Sequence, residues 1–100
     1  MGRSRVSSPR RLKDKLRELR TDLLSMTMDQ MATELRELGA EESTHSGYVA
    51  EYESGKRQPS LLTLLAYSRL ADLSINVFAD DDLDLPTRLS RAARKKGRVV

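Results

Sequence analysis

The chain has 100 residues, of which 38% are hydrophobic, with one Phe, no Trp and no Cys; this allows one small domain with an aliphatic core and excludes a disulfide framework or a thiolate metal site. No apolar run approaches the ~18 residues of a membrane span, and no signal-peptide core follows Met1, so a soluble, cytoplasmic protein is expected. The net charge of +3 hides a partition: residues 1 to 20 hold eight Lys/Arg against two acids (+6), residues 21 to 87 four against thirteen (−9), and residues 88 to 100 six against none (+6).

Residues 1 to 8 form a basic N-terminal arm. Ser8 and Pro9 suit an N-cap followed by a first helical residue, and Leu12, Leu16, Leu19 and Leu23 repeat at helical spacing, predicting a first helix to about Ser25. Thr27 and Gln30 make the capping-box pattern of a second helix, with Met31, Leu35 and Leu38 as its buried stripe and Gly39 as its stop. A polar connection over residues 40 to 43 leads to a third helix, capped by Ser43 or Thr44 and running through Tyr52 to Gly55. Tyr48, Val49 and Tyr52 share one face of it; the tyrosines either pack on the first and fourth helices or stack on single-stranded bases.

Gly55 is free to turn the chain through a left-handed conformation, and Lys56 and Arg57 occupy the corner that follows. Ser60, after Pro59, caps a fourth helix whose apolar arc comprises Leu61, Leu64, Leu65, Tyr67, Leu70 and Ala71 and ends near Leu73. Ser74 caps a short fifth helix over residues 75 to 79, with Val77 and Phe78 available to the core or to a partner. The helical body therefore spans residues 9 to 86. Residues 87 to 100 form a basic tail, beyond the last apolar residue that a core would need. The two basic ends are either electrostatic arms for nucleic acid or solvated tails.

The run Glu53, Gly55, Lys56, Arg57, Pro59, Ser60 and Leu61, in the pattern E-x-G-K-R-x-P-S-L, resembles the end of the recognition helix and the following turn in lambda-repressor-like and Cro-like helix-turn-helix regulators of the xenobiotic-response-element class. The likeness covers residues 12 to 78. It implies an all-α, compact five-helix DNA-binding domain, here with an elongated second helix or an elongated turn between helices two and three. Counting back from Tyr52 and Glu53, it places Val49 in the core and Thr44, His45, Ser46, Gly47 and Glu51 toward the groove.

The chemistry of those positions is that of duplex recognition. Thr27 and Met28 open the second helix, where unpaired N–H groups favour phosphate; a methionine there is equally an apolar contact. Glu51 suits the amino group of cytosine, or is a solvated helix charge. His45 and Ser46 are able to donate or accept, His45 also being a candidate capping or surface residue, and Gly47 permits close backbone approach. Lys56 and Arg57, helped by Ser54, either hold phosphate or pair with the acidic body.

No nucleophile with its base, phosphate-cradling glycine loop or metal cluster emerges, and the acidic residues 80 to 84 lack the spacing of a calcium loop, so neither an enzyme nor a cofactor is expected. The expected function is sequence-specific binding of double-stranded DNA as a transcriptional regulator, as a homodimer on a pseudo-palindrome. The alternative is an antitoxin or adaptor that uses the fold to bind a toxin or another protein.

Overall fold

A computed structural model describes residues 9–93. The expected cap at Ser8, the N-terminal arm and the tail residues 94–100 lie outside the described residues. Helices and their connections make up the described chain, with no strand among them, as expected for an all-α domain.

Helix α1, Leu12–Glu18, runs on into a π-helical turn at Leu19–Leu23. It starts later than the Ser8 and Pro9 pattern predicts. Its opening donors are met from a distant segment, because the Asp81 carboxylate accepts the backbone N–H groups of Arg10 and Arg11 at 2.9 and 3.0 Å. The Arg11 guanidinium also reaches the Asp81 carbonyl and the Asp84 carboxylate, both at 2.6 Å. Bonds first from Arg11 N–H and then from Arg10 N–H hold the Asp81 carboxyl below its ordinary pKa. One turn on, the buried Lys15 ammonium donates to the carbonyls of Val77 and Asp80 at 2.7 and 2.9 Å. Burial draws its pKa down. The π-helical turn ends at Leu23 with Leu24 as its C-cap, and Ser25 follows with a left-handed φ of 54°.

Helix α2, Met28–Glu37, opens on the predicted capping box and closes before Gly39, whose φ is +117°. The long connection over residues 38–45 is tied down by Glu41, whose carboxylate accepts the hydroxyls of Ser60 and Thr63 at 2.8 Å each. Those two bonds, Ser60 first, lower the Glu41 pKa. Helix α3, Ser46–Ser54, is capped by His45, whose Nδ1 accepts the Gly47 N–H at 3.0 Å. This corrects the cap expected at Ser43 or Thr44. Gly55 ends α3 with the predicted left-handed turn, φ +86°.

Helix α4, Leu61–Ala71, is capped by Ser60 as predicted. Its apolar arc starts one turn late, for Leu61 is 73% and Leu62 55% exposed while Thr63 and Leu64 are buried. Leu61 was expected in the core; the clamp of Glu41 on Ser60 and Thr63 turns that side of the first turn inward instead. Helix α5, Ile75–Ala79, follows the predicted Ser74 cap, with Phe78 fully buried. Leu16, Leu19, Met31, Leu35, Val49, Tyr67, Leu70 and Phe78 form the centre of the core, and each buried leucine side chain contributes about 1.5–3 kcal/mol. Leu89 and Ala93 are buried in the same cluster, so the core continues past Pro86, where the sequence reading saw no further core residue.

Candidate nucleic-acid interface

Helix α3 packs on α1 and α2 through Val49, Tyr52 and Glu53. Val49 is fully buried, as expected. Tyr52 sits edge-on to Tyr67 with ring centroids 6.4 Å apart, so it packs within the helical body. Glu53 receives two bonds from Arg20, Nε to Oε2 at 2.7 Å and Nη2 to Oε1 at 2.9 Å. Arg20 also donates to the Met26 carbonyl at 3.0 Å. The two side chains retain 12% and 4% exposure, and the bond to Glu53 raises the Arg20 pKa. This pair fixes the end of α3 to the π-helical turn that follows α1. Sequence reasoning missed it, because nothing in the periodicity of either helix names the other.

The opposite face of α3 carries Gly47, Ala50, Glu51 and Ser54, spaced i, i+3, i+4 and i+7, which is one stripe of a helix. Gly47 and Ser54 are exposed, while Ala50 and Glu51 are half-buried. Apart from Glu51 the stripe is small, so another surface is able to come close to the helix backbone. Glu51 is already engaged: its carboxylate accepts from Arg57 Nε at 2.6 Å. The Arg57 guanidinium also lies 3.9 Å over the Tyr48 ring, and that ring is 4.3 Å from the His45 imidazole. His45, Tyr48, Glu51 and Arg57 therefore form one connected edge. The hydrogen bond to Glu51 raises the Arg57 pKa.

Ser54 donates its hydroxyl to the Glu51 carbonyl at 3.2 Å and accepts the Lys56 N–H at 3.4 Å. It shapes the corner. The Lys56 side chain is exposed and forms no ion pair among the described residues. Ser46 is half-buried at the first position of α3.

Thr27 and Met28 open α2, the helix packed beside α3. The Thr27 hydroxyl accepts the Gln30 N–H at 3.1 Å, and Gln30 Oε1 accepts the Thr27 N–H at 2.9 Å. Met28 is half-buried against the core, the apolar contact that was one of its two readings. Thr44 is 1% exposed and its hydroxyl faces inward. It is therefore removed from the groove-facing set. Its carbonyl takes an Arg36 bond at 2.6 Å, which holds the connection in front of α3.

Chemically, the assembled edge offers a small-residue stripe, one carboxylate able to accept from a base amino group, and two cations at its end. Among the described residues no group of three or more His, Cys, Asp or Glu is placed to hold a metal, and no helix is long and apolar enough to cross a membrane. No family model, curated protein or solved structure matches the chain.

Proposed function

We propose that the chain is a sequence-specific, double-stranded DNA-binding transcriptional regulator of the lambda-repressor-like, Cro-like class, which inserts α3 into the major groove. The observation that carries this reading is the division of α3 into two faces. One is locked to α1 by Val49, Tyr52 and the ion pair of Glu53 with Arg20; the other is a narrow stripe of Gly47, Ala50, Glu51 and Ser54 with Lys56 and Arg57 at its end. A rigidly seated helix with a small outer face fits the dimensions of the groove.

In this reading Glu51 accepts from a cytosine amino group, and Arg57, released from Glu51, joins Lys56 on backbone phosphate. His45 and Ser46 reach base edges or phosphate at the helix start, and Thr27 takes phosphate at the start of α2. Two copies bind a pseudo-palindrome, one helical turn of about 34–36 Å between half-site centres. The exposed Leu61 and Leu62 favour the second reading, an adaptor or antitoxin that offers an apolar contact to a protein.

The test is fluorescence anisotropy of a labelled random-sequence duplex titrated with the full chain, at low and then rising salt, followed by competition with unlabelled duplex. Binding that weakens steeply with salt is expected. Absence of binding at low salt contradicts the DNA reading and leaves the adaptor.

A further inference from the structure

Among the positions to which the sequence gives a phosphate role is the corner after α3. The structure sets beside that corner a cleft of about 190 Å³, enclosed between the start of α1 and the turn after Gly55. Leu12 and Tyr52 supply apolar wall, Gln58 an amide, and Arg10, Lys13 and Arg57 three cations. No carboxylate lines it, although residues 21 to 87 carry a net charge of −9 (four Lys/Arg against thirteen Asp/Glu). The side chains of Arg10 and Lys13 form no ion pair among the described residues. Arg57 has its Nε on Glu51 at 2.6 Å.

Three cations held around one concave space repel one another unless an anion joins them. Each is attached to the fold by contacts that involve no such anion. The Arg10 backbone is held by Asp81. The Lys13 stem lies over Gly55, where a Cβ would meet its Cδ at 3.0 Å. Arg57 is set by Glu51 and Tyr48. The absence of a side chain at Gly55 thus lets α1 bring Lys13 against the turn, in addition to allowing the left-handed φ.

We propose that this cleft binds a single phosphate group, with Arg10, Lys13 and Arg57 as its cationic ligands and the Gln58 amide as a neutral donor. The inference deepens the DNA reading, since Arg57 joins the cleft to the outer edge of α3, and it adds α1 to the binding surface. The phosphate is a backbone phosphodiester of bound duplex or a free phosphate ligand; the chemistry is the same and the sources are separable.

The full chain and the double variant Arg10→Gln with Lys13→Gln, which keeps the stem over Gly55, are compared in two titrations. In the first, inorganic phosphate is added at matched ionic strength while amide resonances are followed by NMR. Saturable shifts clustered at Lys13, Gly55 and Gln58, lost in the variant, are expected. In the second, duplex affinity is measured across a salt series, and the variant is expected to flatten the slope of log affinity against log salt by about 0.9, the share of one phosphate.

A shallower slope in the variant assigns the cleft to backbone phosphate. Shifts lost in the variant with an unchanged duplex slope assign it to a free phosphate ligand. A chain that binds no duplex yet shows the saturable shifts contradicts the DNA function and leaves the cleft site standing. Scattered, non-saturating shifts together with an unchanged slope overturn the proposal.

Discussion

Glu51 and Glu53 stand two residues apart on one helix, about 200° around its axis, and each holds an arginine at nearly the same distance, 2.6 Å to Arg57 and 2.7 Å to Arg20. The chemistry is the same and the surroundings are opposite. The pair of Glu53 retains 12% and 4% side-chain exposure, whereas that of Glu51 retains 43% and 41%. Inside, neither charge has water to return to, so each depends on the other. Outside, water and salt compete for both partners, and a phosphate is able to replace the carboxylate at little cost. One pair therefore orients α3, and the other holds a cation at the surface, open to competition from solvent and ions.

The sharpest way to break this contrast is Glu53→Gln. It leaves the Arg20 charge buried with only the Met26 carbonyl and an amide, and a loss of about 3–5 kcal/mol in unfolding free energy is expected from urea denaturation. A change no larger than that of Glu51→Gln would show the two pairs to be equivalent. Next in size is Lys56→Ala with Arg57→Ala. Duplex affinity should fall for all sequences nearly equally, with the salt slope flattened by about 1.8 if each cation neutralises one phosphate, and the urea midpoint should stay close to that of the parent chain. A loss confined to one sequence would make Arg57 a base reader.

Glu51→Ala is the complementary change. It removes a negative charge and frees Arg57, so affinity for random duplex should rise, while discrimination at one base pair relaxes by about 1–3 kcal/mol. Unchanged preference at every position excludes Glu51 as a reader.

The smallest effect concerns pH and shows that exposure alone does not sort the carboxylates. Asp81 and Glu41 are both tied to segments far along the chain, and both pKa values are lowered in the folded state. Their contribution is present above the ordinary carboxylate range and is lost as pH falls through the lowered folded values. The melting temperature should hold from neutral pH toward that range and then decline, and Asp81→Asn should make the acid decline shallower by removing one of the two contributions. An acid decline identical in the variant would mean that the cap on Arg10 and Arg11 adds no stability.

The parts of this fold that were legible in the sequence are those decided within a few residues. Thr27 with Gln30, Gly39, Gly55, Ser60 and Ser74 each act on their own turn, so the limits of α2 and α5, the end of α3 and the start of α4 could be read from side-chain chemistry alone. What could not be read depends on partners distant in sequence. Asp81 supplies the partner for the Arg10 and Arg11 donors at the start of α1, and Glu41 turns the first residues of α4 so that Leu61 faces solvent. His45 displaced Ser43 and Thr44 as cap because Thr44 was drawn into the interior. Burial of Leu89 and Ala93 also escaped notice, since two apolar residues among arginines give no periodic signal.

The same division runs through the candidate site. The sequence placed Ser54 off the buried face from helical spacing and Lys56 and Arg57 at the corner from the glycine stop, and the family resemblance placed Gly47 toward the outer edge. It could not show that Glu51 and Arg57 hold each other, or that Lys13 lies across Gly55.

Selection of bound duplexes from a random pool, carried out with the full chain and again with Glu51→Ala, tests most directly whether the outer face of α3 reads DNA. The expected result is an enriched two-fold motif whose half-sites lie one helical turn apart, with the Glu51→Ala motif differing from the parent at a single, symmetry-repeated base pair. Recovery of no enriched sequence at any salt, or of the same motif from both proteins, would contradict a major-groove role for this face.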